Sequence, residues 1–507
     1  MKLLIVSAYF EAQRGGVELV AGTMARWFAQ FGHEVTWAAT DASPPPAGED
    51  FCTASVLPAW DPFLRLLGVP MPLPRPTAMR RIVKDVGECD ALVLHDCLYL
   101  PNILAFVIAR LRRRPVVLIQ HIGHVAYKSS LLRWLMKAGN FLFTRNMLAA
   151  ADQAVFISHS VAAQFATVAY KATPLVVFNG VDCELFRPPQ DKREAALLKA
   201  AFGVEPDRRL ILFVGRFVEK KGLTIVERVA RAFPHHTFVL AGRGPIDPAG
   251  WGLANVVVKR DLDREKISEL YRAADLLLLP SQGEGYPLVV QEALACGLPV
   301  LCSAEIVAAD PAIANLVTSV AFEGTENPAS ARAFQEKVPE ALRDEPTLPQ
   351  ARRRHAVENY RWDATTERLL SIIRRVKARA VERRGSLRPA RFVAVSLACA
   401  GLNLGLLALG DAAGLHYWTS GLGVFGIVLL VGYFAHTFFT RGSAPDLLAF
   451  ARYAGTMSMN LPLHALILWL VCGNLGASSF AGGAVSLVIL TAWNFAGVKW
   501  AIKGTRS

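Results

Sequence analysis

The chain has 507 residues, too many for one hydrophobic core, so two or three domains are expected. Hydrophobic residues make up 53% of the chain, and its net charge of +13 would suit nucleic acid, anionic lipid or phosphorylated substrates. No nucleic-acid-binding motif occurs, and the eight cysteines have neither a CxxC pair nor a regular spacing, which argues against nucleic acid, zinc and disulfides. The composition therefore favours lipid or phosphorylated partners.

The N-terminal part of the chain predicts a doubly wound parallel sheet. An apolar run of strand length at 3–10 is followed by a glycine-rich turn, a segment of helical period and another strand at 33–40. The first run is short and ends in Glu, Gln and Arg, so we interpret it as a buried strand and not as a signal peptide. Further strands are predicted at 91–95, 115–121, 153–158 and 174–179. Residues 1–185 are therefore expected to form one Rossmann-like domain.

A second series of alternating strands and helices begins near residue 209. The predicted strands are 209–216, 236–245 with its turn, 275–281 and 299–303. Helices are predicted from Leu223 and across 328–385. We assign 186–365 to a second Rossmann-like domain, joined to the first near 180–205. The predicted fold class of this part is α/β.

The segment 366–391 is expected to be a helix or linker with a strongly basic end. Between 374 and 391, one acid, Glu382, stands against eight cations: Arg374, Arg375, Lys377, Arg379, Arg383, Arg384, Arg388 and Arg391. A basic run alone usually marks a solvated helix face. Directly before an apolar segment, it favours a juxtamembrane helix that contacts anionic lipid.

Four apolar segments follow, at approximately 392–410, 417–439, 453–472 and 480–502. Each is long enough to cross a hydrocarbon core of about 30 Å, so 392–507 is predicted to be an all-α, four-helix transmembrane domain. Lys and Arg occur in the middle link and at the C-terminus but not in the other two links. This asymmetry predicts a multi-pass protein of the inner (cytoplasmic) membrane, with its catalytic domains and both termini in the cytoplasm. Buried helices of a soluble domain are the alternative.

The apolar region repeats itself with an offset of 61 residues, since 391–392 matches 452–453 and 434–435 matches 495–496. This pattern indicates a two-helix hairpin used twice, as in some transporters. Four polar side chains lie in or near the apolar spans: Asn403, Asn460, His464 and Asn494. Such groups either pair across helices or mark a substrate path, and the sequence leaves both interpretations open.

The stretch GEGYPLVVQEALACG, residues 283–297, places two carboxylates around the start of a predicted helix. Pro287 suits the first helical position, and Gly297 suits the position just past the end. Because this helix follows a strand of a parallel sheet, its N-terminus should face the ligand crevice and attract a phosphate. Glu284 lies just before that N-terminus. Glu292 lies over a turn further on, where its carboxylate could accept hydrogen bonds from adjacent hydroxyls such as those of a ribose.

Three further features point to the same crevice. Arg216 ends a predicted strand and Lys221 opens the next helix, so the two cations could clamp a diphosphate and stabilise charge that develops on it. A basic surface turn is the alternative. Gly15 and Gly16 would let a backbone approach a phosphate closely. His121 ends another strand, and it either faces the crevice or is structural.

Two N-terminal stretches, 60–70 and 128–145, mix large apolar residues with Arg and Lys. This composition is typical of segments that lie at a membrane interface. A core helix and a packed loop are the alternatives.

Six motifs occur in the order seen in glycosyltransferase family four: GGVE (15–18), FNGVDCELFRP (178–188), ILFVGRFVEKKG (211–222), LAGRGP (240–245), YRAADLLLLPS (271–281) and EGYPLVVQEALACGLPV (284–300). Residues 1–380 resemble that family. The resemblance implies a GT-B fold of two Rossmann-like domains facing a cleft. It also implies transfer of a sugar from a nucleoside-diphosphate sugar, with retention of anomeric configuration and without a bound cofactor or metal.

The resemblance further implies roles for individual side chains. Arg216 and Lys221 would bind the donor diphosphate. Glu284 would face the transferred sugar, Glu292 would hold the ribose hydroxyls, and His121 would lie near the sugar.

Backbone groups would complete the donor site in the same family pattern. The residues whose backbone would contact the distal phosphate or the sugar are Gly285, Tyr286, Pro287 and Leu288. Gly15 and Gly16 would close over the donor from the other domain. Tyr286 stands where the family more often has Phe, and Phe178 stands where it often has Pro.

Residues 390–507 resemble the GtrA-like family, four-helix membrane proteins linked to moving or handling polyprenyl-phosphate sugars. The likeness rests on RYAGTMSMN (452–460) and WNFAGVKWAIKG (493–504). The first repeat diverges, because Cys399 occupies the position that corresponds to Asn460, and Tyr433 the position that corresponds to Asn494.

These observations favour a membrane-tethered retaining glycosyltransferase with a lipid-linked or glycolipid acceptor, working in cell-envelope polysaccharide or glycolipid synthesis. The alternative is a GtrA-like transporter or flippase whose front part only binds a sugar nucleotide, although the intact set of charged residues argues against decay. A GT-B-type epimerase would leave the membrane domain unexplained. The donor sugar and base, the linkage and the oligomeric state are left open by the sequence.

Overall fold

The computed structural model describes residues 1–13, 15–46, 51–62, 71–123, 130–205, 207–343, 345–413, 417–441 and 446–474, with parts of 485–501. The chain forms two compact units, Met1–Ala378 and Arg379–Ser507.

The first sheet lies in the N-terminal domain of the first unit. The strands of this domain, in chain order, are β1 (Lys2–Val6), β2 (Glu34–Thr40), β3 (Thr53–Leu57), β4 (Ala59–Trp60), β5 (Leu73–Pro74), β6 (Ala91–His95), β7 (Val116–Gln120), β8 (Gln153–Phe156) and β9 (Leu175–Val176). Seven of them form a parallel sheet in the order β3-β2-β1-β6-β7-β8-β9, while β4 and β5 pair antiparallel by themselves. The N-terminal part of the chain is thus a doubly wound α/β domain, as the sequence predicts.

Helices cover both faces of this sheet. The helices, in chain order, are α1 (Gly16–Gln30), α2 (Pro76–Glu88), α3 (Leu100–Leu111), α4 (Ser130–Gly139), α5 (Arg145–Ala150) and α6 (His159–Gln164). Leu3 and Ile5 of β1 belong to one buried cluster, and the alternating residues Leu4 and Val6 belong to another. Successive side chains of a strand point to opposite faces, so a continuous apolar run is buried on both sides.

The second domain has a six-stranded parallel sheet in the order β12-β11-β10-β13-β14-β15. Its strands are β10 (Leu210–Val214), β11 (Thr237–Ala241), β12 (Val256–Lys259), β13 (Leu276–Leu279), β14 (Val300–Ser303) and β15 (Thr318–Val320). Its helices are α7 (Lys192–Ala201), α8 (Leu223–Ala232), α9 (Arg264–Ala273), α10 (Leu288–Ala295), α11 (Ala304–Ala309), α12 (Pro328–Leu342) and α13 (Leu348–Asn359). Both sheets therefore have Rossmann-type order.

The strand order reverses at one place in each large sheet, between β1 and β6 in the first and between β10 and β13 in the second. At such a switch point the connections leave to opposite faces, which opens a crevice at the carboxyl ends of the strands. The residues that follow β1, β6, β10 and β13 are therefore the ones placed to meet a ligand.

The chain crosses between the two domains twice, and the crossings lie side by side. The Val181 backbone N–H donates to the Tyr360 carbonyl over 2.6 Å, and Val181 forms an isolated parallel bridge with Arg361. A Cβ at Gly180 would overlap the ring of Trp362. The second crossing thus returns the chain to the N-terminal domain directly after α13.

A long helix, α14 (Trp362–Ala412), begins at this return point. Leu369, Leu370 and Ile373 pack into the core of the N-terminal domain. Lys377 Nζ lies 3.0 Å from Asp90 Oδ1, so one cation of the basic segment is engaged by the N-terminal domain. The start of the segment 366–391 therefore packs as part of that domain, while the side chains at 383–391 lie outside the described residues. The boundaries at 185/186 and 365/366 stay predictions.

The second unit is helical in its described part. α14 continues into it, followed by α15 (Tyr417–Ala435), α16 (Leu447–Ser458) and α17 (Asn460–Leu468), with π-helical turns at His436–Arg441 and Trp469–Asn474. Phe392 and Tyr453, which are repeat-related, pack in one cluster with Tyr433 and Val498. The described parts of the two hairpins thus meet through corresponding positions.

Across the described residues, no helix combines the length and the apolar character needed to span a membrane. Most of the predicted segment 480–502 lies outside those residues. The four-helix transmembrane domain stays a prediction.

Candidate active site

The carboxyl ends of β10 and β13 bring together the charged residues that the sequence assigned to one crevice. Arg216 and Lys221 follow β10, and Glu284 follows β13. Lys221 Nζ lies 3.2 Å from Glu284 Oε1, and Lys220 Nζ lies 3.5 Å from the same oxygen. Arg216 is exposed at the edge of this group. Two cations thus surround one carboxylate at the switch point of the second sheet.

Burial and charge act against each other in this group. Burial lowers the pKa of the Lys221 ammonium, and the Glu284 carboxylate opposes that shift. Burial alone would raise the pKa of Glu284, but the Lys221 and Lys220 ammonium groups outweigh it and lower the pKa. The carboxyl is therefore held in its charged form at neutral pH, beside an ammonium that is poorly solvated.

A glycine at position 222 allows Lys221 to reach this place. Gly222 has a φ of +73° between the 3-10 turn Glu219–Lys221 and α8. A Cβ there would overlap the carbonyl oxygen of Pro280, at the end of β13. Glycine is favoured at positive φ, and here the absence of a side chain also lets the two loops pack together. The GRFVEKKG motif therefore positions its lysine against the next loop of the sheet.

Glu292 lies on α10, one turn inside the helix that follows Glu284. The Tyr271 hydroxyl donates to Glu292 Oε2 over 3.0 Å. Burial raises the pKa of the Glu292 carboxyl, while Arg264 and Tyr271 oppose the shift. Part of Glu292 stays exposed, so its carboxylate keeps acceptor capacity for a ligand.

The N-terminus of α10 differs by one residue from the prediction. The helix begins at Leu288, and Pro287 precedes it as the cap. Gly297, with φ +70°, follows the last turn as predicted. The Tyr286 side chain is buried, and its hydroxyl lies 2.8 Å from that of Tyr360. Tyr286 can therefore meet a donor only through its backbone.

Gly285 joins the second domain to the first. A Cβ at Gly285 would overlap the carbonyl oxygen of His121. The Ser160 hydroxyl, at the start of α6, donates to the Gly285 carbonyl over 3.4 Å. The turn that carries Glu284 therefore rests on the strand ends of the N-terminal domain.

The opening GG pair lies at the start of α1, as predicted. Gly15 caps the helix, and a Cβ there would overlap the carboxylate of Glu18. Among the described residues, nothing lies within 4 Å of where a Cβ of Gly16 would be. Burial raises the pKa of Glu18, and the charge of Arg216 opposes this shift. Glu18 thus places a buried acid from the first domain in the electrostatic range of a second-domain cation.

His121 is paired with a second histidine, His95, which ends β6. His95 Nδ1 lies 2.9 Å from His121 Nε2, and both rings are buried. The next residue, Asp96, has φ +66° and accepts through Oδ1 from the backbone N–H of His121 and of Ile122. Burial raises the pKa of Asp96 to about 7, although those two N–H groups oppose the shift.

Four residues of this site have no role assigned by the sequence analysis: Glu18 and Lys220, which stand inside quoted motifs, and His95 and Asp96, which do not. Two of them, His95 and Asp96, stand at the end of a strand and directly after it. That position is the signal that could have found them.

In the described part of the chain, no three His, Cys, Asp or Glu side chains are grouped so that they could hold a metal ion.

In the second unit, Asn403 is partly exposed, and the buried Oδ1 atoms of Asn460 and Asn494 have no partner among the described residues. The His464 side chain lies outside the described residues.

Two family comparisons match the two Rossmann-like domains in order. Residues 14–185 match Glycosyltransferase Family 4, and residues 196–361 match Glycosyl transferases group 1. The chain is also similar to D-inositol 3-phosphate glycosyltransferases. The protein of Mycolicibacterium smegmatis is 32% identical over 213 residues, which cover 39% of this chain and 46% of that protein. The protein of Mycobacterium tuberculosis strain F11 is 33% identical over 219 residues, covering 39% and 43%. The chain spans about half the length of these curated relatives.

Solved structures share the fold. A sucrose-phosphate synthase from Thermosynechococcus elongatus has a TM-score of 0.56 at 19% identity and covers 75% of this chain and 99% of its own. Anabaena HepE in complex with UDP and glucose has a TM-score of 0.56 at 16% identity, covering 74% and 99%. WaaG, a glycosyltransferase involved in lipopolysaccharide biosynthesis, has a TM-score of 0.55 at 19% identity, with the same coverage.

These matches fall on the two domains whose sheets each have a strand-end crevice. Each of the first two domains matches a glycosyltransferase family model, and together they have the GT-B fold of two Rossmann-like domains, which confirms the predicted α/β architecture of the front part. The family matches end at residue 361, and the GtrA-like resemblance of 390–507 stays a prediction.

Proposed function

We propose that this protein transfers a sugar, with retention of configuration, from a nucleoside-diphosphate sugar to a lipid-linked or glycolipid acceptor at the cytoplasmic face of the inner membrane. The product would serve cell-envelope polysaccharide or glycolipid synthesis. The observation that carries the proposal is the contact of Lys221 with Glu284 at the switch point of a glycosyltransferase sheet.

In the donor site, Arg216 and Lys221 would hold the diphosphate, and Glu292 would hold the ribose. When the bond between the sugar C1 and the phosphate oxygen breaks, its electron pair leaves with the nucleoside diphosphate. The ammonium of Lys221 and the guanidinium of Arg216 would stabilise that charge. Glu284 would then face the positive charge that develops on the sugar. The solved complex of Anabaena HepE with UDP-glucose, which shares this fold, supports a donor of this class.

The lipid acceptor is supported by an unusual surface on the first unit, within the predicted interfacial stretch 128–145. In the π-helical turn Asn140–Thr144, the polar Asn140 and Thr144 are buried and bonded to each other, whereas Phe141 is 69% exposed and Leu142 57%. Trp134, two turns earlier, is 65% exposed. A helix on the surface of a soluble protein normally buries its apolar side chains and exposes its polar ones. Here the arrangement is reversed, as would suit a segment at a membrane interface. Most of the other predicted stretch, 60–70, lies outside the described residues.

The second unit supports the same environment. Large apolar side chains are exposed along it, including Leu397 at 68%, Leu447 at 82% and Trp469 at 60%. Exposing these apolar side chains to water costs free energy, whereas contact with lipid does not. The proposed membrane anchoring would explain this surface.

A transporter function is the second candidate, because Asn460 Oδ1 and Asn494 Oδ1 are buried without a described partner. Such acceptors would suit a polar cargo. The preserved contact between Lys221 and Glu284 favours the transferase, since a front part that only binds would not need an acid beside the sugar.

The test is sugar transfer by membranes from cells that express the chain, against a panel of labelled nucleotide-sugars. Label should enter the lipid fraction from one donor, and Glu292→Ala should abolish this transfer while the protein stays folded. Membranes with full wild-type expression and no transfer from any donor would contradict the proposal. Transfer that is unchanged in the Glu292→Ala variant would contradict the site assignment.

A further inference from the structure

His121 has a ring partner whose role the proposed function does not explain. His95 Nδ1 and His121 Nε2 are 2.9 Å apart. The ring planes differ by 21° and the centroids are 5.1 Å apart. The two rings are nearly parallel, and they are closest at these nitrogen atoms. They therefore meet edge to edge, with the nitrogens at hydrogen-bond distance.

Both rings are neutral at physiological pH. Burial lowers the pKa of His95 to about 3. Burial, and then the neighbouring His95, lower the pKa of His121 well below its usual value. A neutral pair shares one proton across the contact, so one ring donates and the other accepts. The tautomer of one ring then fixes the tautomer of the other.

His95 either donates to His121 or accepts from it, and the second ring nitrogen of His95, Nε2, indicates which. His95 is fully buried, and no described group lies in hydrogen-bond reach of its Nε2. If His95 donates through Nδ1, Nε2 is a buried lone pair. If His95 accepts, Nε2 must carry a buried N–H with no described acceptor. Orphaned buried N–H groups are rarer in proteins than under-used acceptors. The first arrangement is therefore favoured.

If His95 donates, His121 must accept through Nε2 and carry its own proton on Nδ1. His121 keeps 4% of its surface exposed, whereas His95 keeps none. His121 Nε2 is engaged by His95, so Nδ1 is the nitrogen left for the cleft. The backbone holds the ring in place, because the His121 N–H donates to Asp96 Oδ1 over 2.7 Å and the His121 carbonyl lies against Gly285.

We propose that His95 is a positioning residue that fixes His121 as the Nδ1–H tautomer, so that His121 presents a hydrogen-bond donor, and not a base, to an oxygen of the bound donor substrate. This inference rests on the proposed function for its ligand. The tautomer itself does not depend on that function.

Three substitutions of His95 separate the possible roles. An Asn amide nitrogen can take the position of the His Nδ1, so His95→Asn keeps a donor toward His121. His95→Leu removes the polar partner, and His95→Asp in its ionised form, assayed above about pH 8, supplies only an acceptor, which favours the proton on His121 Nε2. Turnover of the Leu and Asp variants should fall about tenfold below that of the Asn variant, as expected for one lost hydrogen bond. Equal losses in all three variants would contradict the proposal.

The direct measurement is nitrogen NMR of the full-length protein with 15N-labelled histidine. The chain has 11 histidines, and the signals absent in a His121→Gln variant assign those of His121. Nδ1 should carry the proton and Nε2 should not. A His121 with the proton on Nε2, or with both nitrogens protonated near pH 7, overturns the proposal. If the tautomer is as expected but no nucleotide-sugar is turned over, the proposed function fails and the tautomer assignment stands.

Discussion

Gly285 lies directly against the carbonyl oxygen of His121, so the turn that carries Glu284 rests on the strand end that carries His121. This contact joins the two crevices of the fold through backbone atoms. A side chain added at Gly285 would therefore push the two halves of the proposed site apart.

Gly285→Ala should therefore reduce sugar transfer at least about a hundredfold, because the new Cβ overlaps the His121 carbonyl and displaces the Glu284 turn. The matched control is Gly250→Ala, since a Cβ at Gly250 meets no described atom within 4 Å. Steady-state transfer rates of both variants check the prediction. A Gly285→Ala enzyme as fast as the control would mean that this contact does not set the geometry of the site.

Lys221→Ala should lower kcat/KM for the donor by about a hundredfold to a thousandfold, because it removes the cation proposed to stabilise the leaving diphosphate. Lys221→Arg should restore little of this, since a guanidinium fork does not replace a buried point charge. Lys220 gives the control, because its side chain is 38% exposed against 11% for Lys221. Lys220→Ala should cost less than about tenfold, as for an exposed ion pair. Equal losses at the two lysines would argue for a general charge effect.

Asp96 predicts a pH dependence of stability. Its folded pKa is raised to about 7, well above the value of an unfolded Asp, so the folded state binds more protons between these two values. Stability from this group is full below the unfolded pKa and is lost as the pH rises toward about 7. Asp96→Asn removes this pH dependence. The unfolding free energy of the variant relative to wild type should therefore rise by up to about 2–3 kcal/mol as the pH is raised from 5 to 7. Parallel unfolding curves at the two pH values would show that Asp96 is charged in the folded protein.

Phe141→Glu should reduce transfer to an acceptor embedded in vesicles but not to a short-chain, water-soluble acceptor analogue. The residue is exposed, so thermal unfolding should change little. Leu197 on α7 is similarly exposed, at 63%, and Leu197→Glu is the control. A loss of transfer that is the same for both acceptors, or the same for both variants, would rule out a membrane-contacting role for the Asn140–Thr144 turn.

The central strands of both sheets could be predicted from the sequence because they are continuous apolar runs of strand length. β3 and β12 escaped prediction because they are edge strands with mostly half-buried side chains. Their local pattern lacks both the full apolar run and a clean alternation.

The convergence of Arg216, Lys221 and Glu284 could be predicted because all three follow strands at one edge of a parallel sheet. The same rule would have found His95 and Asp96, at the end of β6, as it found His121 after β7. The pairing of His95 with His121 and the second contact of Glu284 with Lys220 depend on side-chain packing between loops, which no local pattern encodes.

The most direct test of the account is donor-dependent sugar transfer by the purified full-length protein, measured together with the anomeric configuration of the product. We expect release of a nucleoside diphosphate, a product with the configuration of the donor, and a decrease in the rate of both by about a hundredfold to a thousandfold in Lys221→Ala. Transfer with inverted configuration, or unchanged release of nucleoside diphosphate in Lys221→Ala, would contradict this expectation.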